Sequence, residues 1–145
     1  MEKIGEELRR VIAESSGPLT AISEQASSER LPGKWSKKEV LGHLIDSASN
    51  NHQRFVRAQL TTELKLSGYE QESWVRTQRY QHEPWDVLVQ FWKSYNLHLA
   101  HLIEAIPDAV MHHRIFIGDN EPVTLEFVVQ DYVRHLRHHL KQILV

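Results

Sequence analysis

Apolar residues recur at helical steps in four stretches of the chain, and the segments between them carry turn chemistry. Ile4, Leu8, Val11, Ile12, Leu19 and Ile22 share one face, which predicts a first helix from about Glu2 to Gln25, kinked at Gly17-Pro18 where proline lacks a backbone donor. The pattern lapses from Ala26 to Lys34. Ser36-Lys37-Lys38-Glu39 then forms a capping box, in which serine hydroxyl and glutamate carboxylate each satisfy a free backbone N–H at a helix start. A second helix therefore opens at Lys37, and Val40, Leu41, Leu44, Ile45, Ala48, Phe55 and Val56 carry it to about Leu60.

Thr61 to Gln81 has no clear period and holds Gly68, Tyr69 and Trp74. It reads as a long connection with a helical turn, either a functional lid or a packed crossover, with Tyr69 and Trp74 as candidate pocket walls. Pro84 at a first helical position opens a third helix, with Trp85, Leu88, Phe91, Trp92, Tyr95, Leu99, Leu102 and Ile106 on one face and Pro107 as its stop. In the second connection, Asp108 to Val123, the run Arg114 to Asn120 is expected to form a short extended piece and turn rather than a strand of a sheet. Thr124 caps a fourth helix that runs to the end on Leu125, Val128, Val129, Tyr132, Leu136, Leu140 and Ile143. The expected architecture is all-α, a four-helix bundle forming a single domain over residues 1–145.

A chain of 145 residues can bury a core without staples, and the absence of cysteine removes disulfides, thiolate metal sites and a cysteine nucleophile together. It also suits a reducing, cytoplasmic setting. No apolar signal core or bilayer-length run is seen, so a soluble protein without a membrane partner is expected. Seventeen basic against nineteen acidic residues give a formal charge of −2, which carries no electrostatic footprint for nucleic acid.

Histidine changes the picture, with ten residues spread through the chain. On the last helix His135 and His139 are four apart, so both leave one face and can reach a single ion. A divalent metal needs a third ligand, and helix 2 offers His43. Ser47, Asn50 and Arg54 project within roughly 40° of His43, making a polar ladder at the edge of the apolar arc. This edge and that of the last helix either face each other across a groove or are both solvated surface. His98 and His101 read as surface, His52 as packing, His82, His112 and His113 as connection residues, and His138 points away from its two neighbours.

Other chemistries fit poorly. Zinc proteases share the His-x-x-x-His spacing but need a glutamate after the first histidine, where this chain has Leu136. There is no glycine-rich phosphate loop, no Gly-x-Ser-x-Gly elbow and no Glu-x-x-His pair.

The series Lys34-Trp35-Ser36-x-x-Glu39-Val40-x-x-His43-Leu44-x-Asp46-Ser47-x-x-Asn50-x-x-x-Arg54-Phe55, then Tyr69-Glu70-x-x-x-Trp74, then His135-x-x-His138-His139-x-x-Gln142-Ile143 resembles the DinB-like superfamily, and most closely its YfiT branch of metal-dependent hydrolases. The resemblance implies a four-helix bundle, often a homodimer, whose three histidines hold zinc or nickel; by motif position the ligands are His43, His135 and His139. Three imidazoles leave one coordination position open, suited to hydrolysis of a small-molecule substrate. The same position can hold a low-molecular-weight thiol as thiolate, and the resemblance implies S-transfer as an alternative activity. Arg54 is the candidate for gripping a carboxylate or phosphate of substrate or thiol, unless it pairs with Glu39 or Asp46. Asn50 is a candidate for orienting a ligand, and Asp46 for steadying a histidine. A bundle in which the ion only ties two helices together, without catalysis, is the competing reading.

Overall fold

The computed structural model describes residues 1–145. Four long helices dominate it: α1 (Glu2–Ala21), α3 (Lys37–Arg57), α5 (Trp85–Glu104) and α6 (Leu125–Ile143), with two short ones, α2 (Glu24–Ser28) and α4 (Gln71–Gln78). α1 packs on α5, α5 on α3, α3 on α6 and α6 back on α1, so the bundle closes on itself. Leu8, Leu41, Phe55, Leu88, Trp92, Leu99, Val129 and Leu136 are buried along the axis, the apolar positions that the helical period singles out.

Three element boundaries differ from expectation. α1 runs through Gly17-Pro18 and stops at Ala21, where the chain turns and Ser23 caps the separate helix α2 by accepting from the Ala26 N–H at 3.1 Å. α3 ends at Arg57, three residues before Leu60. α5 begins at Trp85 with Pro84 as its cap residue, and the Trp85 N–H donates to the Glu24 carboxylate at 2.9 Å, tying α2 to the start of α5.

The connections are where expectation fails. Residues 61–82 contain strand β1 (Glu63–Leu66), α4 and a 3₁₀ turn at Tyr80–His82, while residues 108–124 contain β2 (Arg114–Ile117) and β3 (Val123–Thr124). These form one three-stranded sheet in the order β1-β2-β3, the first pair parallel and the second antiparallel. Arg114–Ile117 is thus a true strand, the central one, and Ile115 is fully buried. Its partners in β1 lie 51 residues away in sequence, as in the pair Glu63 and Arg114, beyond the reach of a local reading.

Candidate functional site

The capping box fixes where α3 starts: Ser36 Oγ accepts from the Glu39 N–H at 3.2 Å and Glu39 Oε1 accepts from the Ser36 N–H at 3.1 Å. Arg30 clamps the same carboxylate through two bonds of 2.7 Å. One turn further on, His43 is almost wholly buried, at 1% exposed, with the Trp35 ring against it at 5.3 Å between centroids. Opposite, α6 is capped by Thr124, whose Oγ1 accepts from the Phe127 N–H at 3.1 Å, and its apolar face turns His135 and His139 toward α3.

The three rings converge. His43 Nε2 lies 3.4 Å from His135 Nε2, which lies 3.0 Å from His139 Nε2, and one ligand atom from each ring falls within 4.8 Å of the others. His139 Nδ1 is 2.9 Å from Gln142 Oε1; donating there, the ring keeps its Nε2 lone pair free for the cluster. Burial first, and then the neighbouring imidazoles, push the pKa of both His43 and His135 down to about 4. Both are therefore neutral at pH 7. Neutral imidazoles aimed at one point cannot all satisfy one another, whereas a single cation satisfies all three, so the donor set fits a divalent ion.

Asp46, one turn beyond His43, is buried but does not steady a histidine. Its Oδ1 accepts from Tyr80 Oη and Gln78 Nε2, both at 2.7 Å, because α4 and the following 3₁₀ turn bring those donors over α3. Burial raises the Asp46 pKa, against the lowering effect of these two bonds. Neither Asp46 nor Glu39 pairs with Arg54, which has no carboxylate within salt-bridge distance.

A cavity of about 360 Å³ opens beside the cluster, with His135 in its wall. α3 contributes Ser47, Asn51 and Arg54; α6 contributes Val128, Asp131 and Tyr132; Tyr69 closes one side and Ile115 and Ile117 of β2 another. Of the predicted ladder, Ser47 and Arg54 reach this space. Asn50 does not: its Nδ2 donates to the Asp46 carbonyl of its own helix at 2.9 Å. Trp74 stands outside the lining and packs on Tyr69, 5.2 Å between centroids.

The model of the DinB superfamily matches residues 7–143 of this chain. The chain belongs to the DinB superfamily. Among solved structures, YfiT from Bacillus subtilis, described as a probable metal-dependent hydrolase with an unusual four-helix bundle topology, is similar at a TM-score of 0.86 and 21% identity. That match covers 97% of this chain and 82% of YfiT. A mutant of a mycothiol-dependent maleylpyruvate isomerase is similar at a TM-score of 0.76 and 12% identity, covering 98% of this chain and 60% of the isomerase. At these identities the likeness is one of fold. No curated protein matches the chain.

Within this DinB-superfamily fold His138 packs edge-on against His139, 5.2 Å between centroids, without turning into the cluster, and the other histidines contribute no nitrogen to it. His52 Nδ1 meets Tyr95 Oη at 2.9 Å, His113 Nδ1 meets the Ala58 carbonyl at 2.6 Å, and His98, His101 and His138 are exposed. Asn51, Asp131 and Tyr132 are among the lining residues that the sequence did not single out for the site. Asn51 sits about 80° round α3 from His43, outside an arc centred on that histidine, because the cavity lies off to one side of the cluster. Asp131 carried a usable signal, since it precedes His135 by one helical turn.

Proposed function

We propose that this DinB-superfamily chain is a metal-dependent enzyme holding one divalent ion, zinc or nickel, on His43, His135 and His139, and that its reaction is hydrolytic. The observation that carries this reading is the convergence of three imidazole nitrogens within 4.8 Å at the wall of a cavity large enough for a small molecule. Imidazole ligands suit either metal. A bound ion supplies Lewis acidity and an activated nucleophile at neutral pH, and three protein ligands leave it a position for that chemistry. The chain's own residues do the rest: Gln142 orients His139, Trp35 shields His43 from solvent, and the polar face of α3 positions the substrate against His135.

Transfer of a small-molecule thiol is the second reading, supported by the fold likeness to a mycothiol-dependent isomerase. Both readings require the same ligands, so metal analysis comes first. Tag-free protein purified without added metal is expected to carry about one equivalent of transition metal, and the His135→Ala variant to lose it. Wild-type protein that stays metal-free after incubation with zinc or nickel removes the reading and leaves an ion-free bundle. If metal is present, turnover of an electrophile that requires added thiol assigns transfer, and turnover without thiol assigns hydrolysis.

A further inference from the structure

Ten arginines occur in the chain, and Arg54 is the one whose residue is not solvent-exposed. Five of the others, Arg9, Arg30, Arg114, Arg134 and Arg137, pair with carboxylates. Arg54 pairs with none. Its single protein acceptor is Asn51 Oδ1, 3.3 Å from Nη1, and Asn51 is itself held by its Nδ2, which donates to the Ser47 carbonyl at 2.8 Å. A guanidinium has five N–H donors, so most of this fork has no protein acceptor, and the residue lines the cavity. Burial pulls the Arg54 pKa below its ordinary value, yet the group stays charged at any physiological pH. A partly desolvated cation without a counter-charge is costly to the fold and is relieved when an anion completes it.

The surroundings suit such an anion. Tyr69, on the adjoining wall, has its hydroxyl pKa raised by burial and so remains a neutral donor. Two acidic residues also line the space, but Asp131 is paired with Arg134 and Glu121 is exposed at the rim. Arg54 follows His43 by eleven residues, a backbone rise of about 16 Å along the helix axis, and its guanidinium leans back one turn to Asn51, so an anion held there stands further along α3 than the histidine cluster rather than at it.

Resting on the reading of this cavity as an enzyme's substrate site, we propose that the substrate is a small molecule with a carboxylate or phosphate remote from its reacting centre, and that Arg54, braced by Asn51, is the clamp that reads that group. A bidentate guanidinium contact in a partly dry site fixes orientation as well as affinity. Substrates in which the reacting group and the anion are the same small unit are selected against by the separation.

The test titrates glutarate and phenyl phosphate, with glutaramide and phenol as neutral counterparts, into the protein as purified and after loading with zinc. The readouts are the Arg54 Nε–Hε resonance and the dissociation constant. The anions are expected to shift that resonance and the neutral molecules to leave it unmoved. Arg54→Gln and Arg54→Lys are each expected to weaken anion binding by ~10-fold or more. Arg54→Gln is also expected to melt no lower than wild type, since it removes an uncompensated charge. The tighter of the two anions assigns carboxylate or phosphate. Equal response to anionic and neutral probes, unchanged anion affinity in Arg54→Lys and Arg54→Gln, or unfolding of Arg54→Gln would overturn the clamp. Arg54-dependent anion binding in a wild-type chain that takes up no metal leaves the clamp standing and removes the metal-enzyme reading; bound metal without anion preference does the reverse.

Discussion

His43 and His135 hold their protons far less readily in this fold than in a disordered chain, and that difference makes metal-free stability depend on pH. Their folded pKa values of about 4 lie below the ordinary 6.5. Between those values the unfolded chain binds more protons than the folded one, so stability rises with pH across the window and falls on acidification. Above about pH 6.5 the two groups contribute no pH dependence. For the well-buried His43 the full shift corresponds to an upper bound of about 3 kcal/mol. Urea unfolding of chelator-treated protein at pH 7.5, 6 and 5 is expected to show a falling midpoint, with a flatter profile in His43→Gln. Equal slopes in both proteins would mean that the buried imidazole is not the cause. The same neutrality favours metal uptake at neutral pH, since protons then compete little for the ring nitrogens.

At the scale of elements, α3 is held from two sides. The capping box and Arg30 secure its first turn, and the segment after β1 packs over its middle. The contact that permits this packing is Gly42, where an added Cβ would stand 2.2 Å from Cδ2 and 2.3 Å from Cγ of the Tyr80 ring. That ring cannot swing aside cheaply, because its hydroxyl is tied to buried Asp46 at 2.7 Å. Gly42→Ala gains up to ~1 kcal/mol of helix propensity but is expected to lose more through overpacking and release of Asp46, for a net destabilisation of ~1–3 kcal/mol. Calorimetry is expected to show a melting temperature lower by ~3 °C or more. A variant that melts higher would show that α4 and its 3₁₀ turn are free to lift away.

Across the whole molecule, the small sheet joins the two long crossovers and walls the cavity, while the helices carry the three clustered histidines. Ile115 belongs to both the sheet and the core, with no exposed surface. Ile115→Ala is expected to cost ~2–5 kcal/mol in urea unfolding, as a buried large-to-small change, yet to keep the metal content of wild type because no ligand comes from the sheet. Loss of metal in a folded Ile115→Ala protein would mean that the sheet sets the spacing of α3 and α6.

How much was legible follows from the range of the signals. Helical periodicity repeats over five turns in α3 and α6, and caps such as Ser36 and Thr124 are local chemistry, so the four long helices and the polar edges that carry His43 on one and His135 and His139 on another could be read along the chain, while the packing of α3 on α6 was needed to show that those edges face each other. β1 and β2 are four residues each and are stabilised by pairing across 51 positions, which leaves no period to detect. Arg54 could be named as a polar position, but its lack of a counter-ion appears only when Arg30 takes Glu39 and Tyr80 and Gln78 take Asp46. Asn51 replaced Asn50 in the cavity for the same kind of reason, since the side from which a ligand approaches is set by the packing of α6 and the sheet. Sequence alone therefore determined which residues share a helix face, because that depends on backbone geometry within a few turns. Tertiary structure alone decided which polar groups are already satisfied and which are left for a ligand, because that depends on partners brought in from distant parts of the chain.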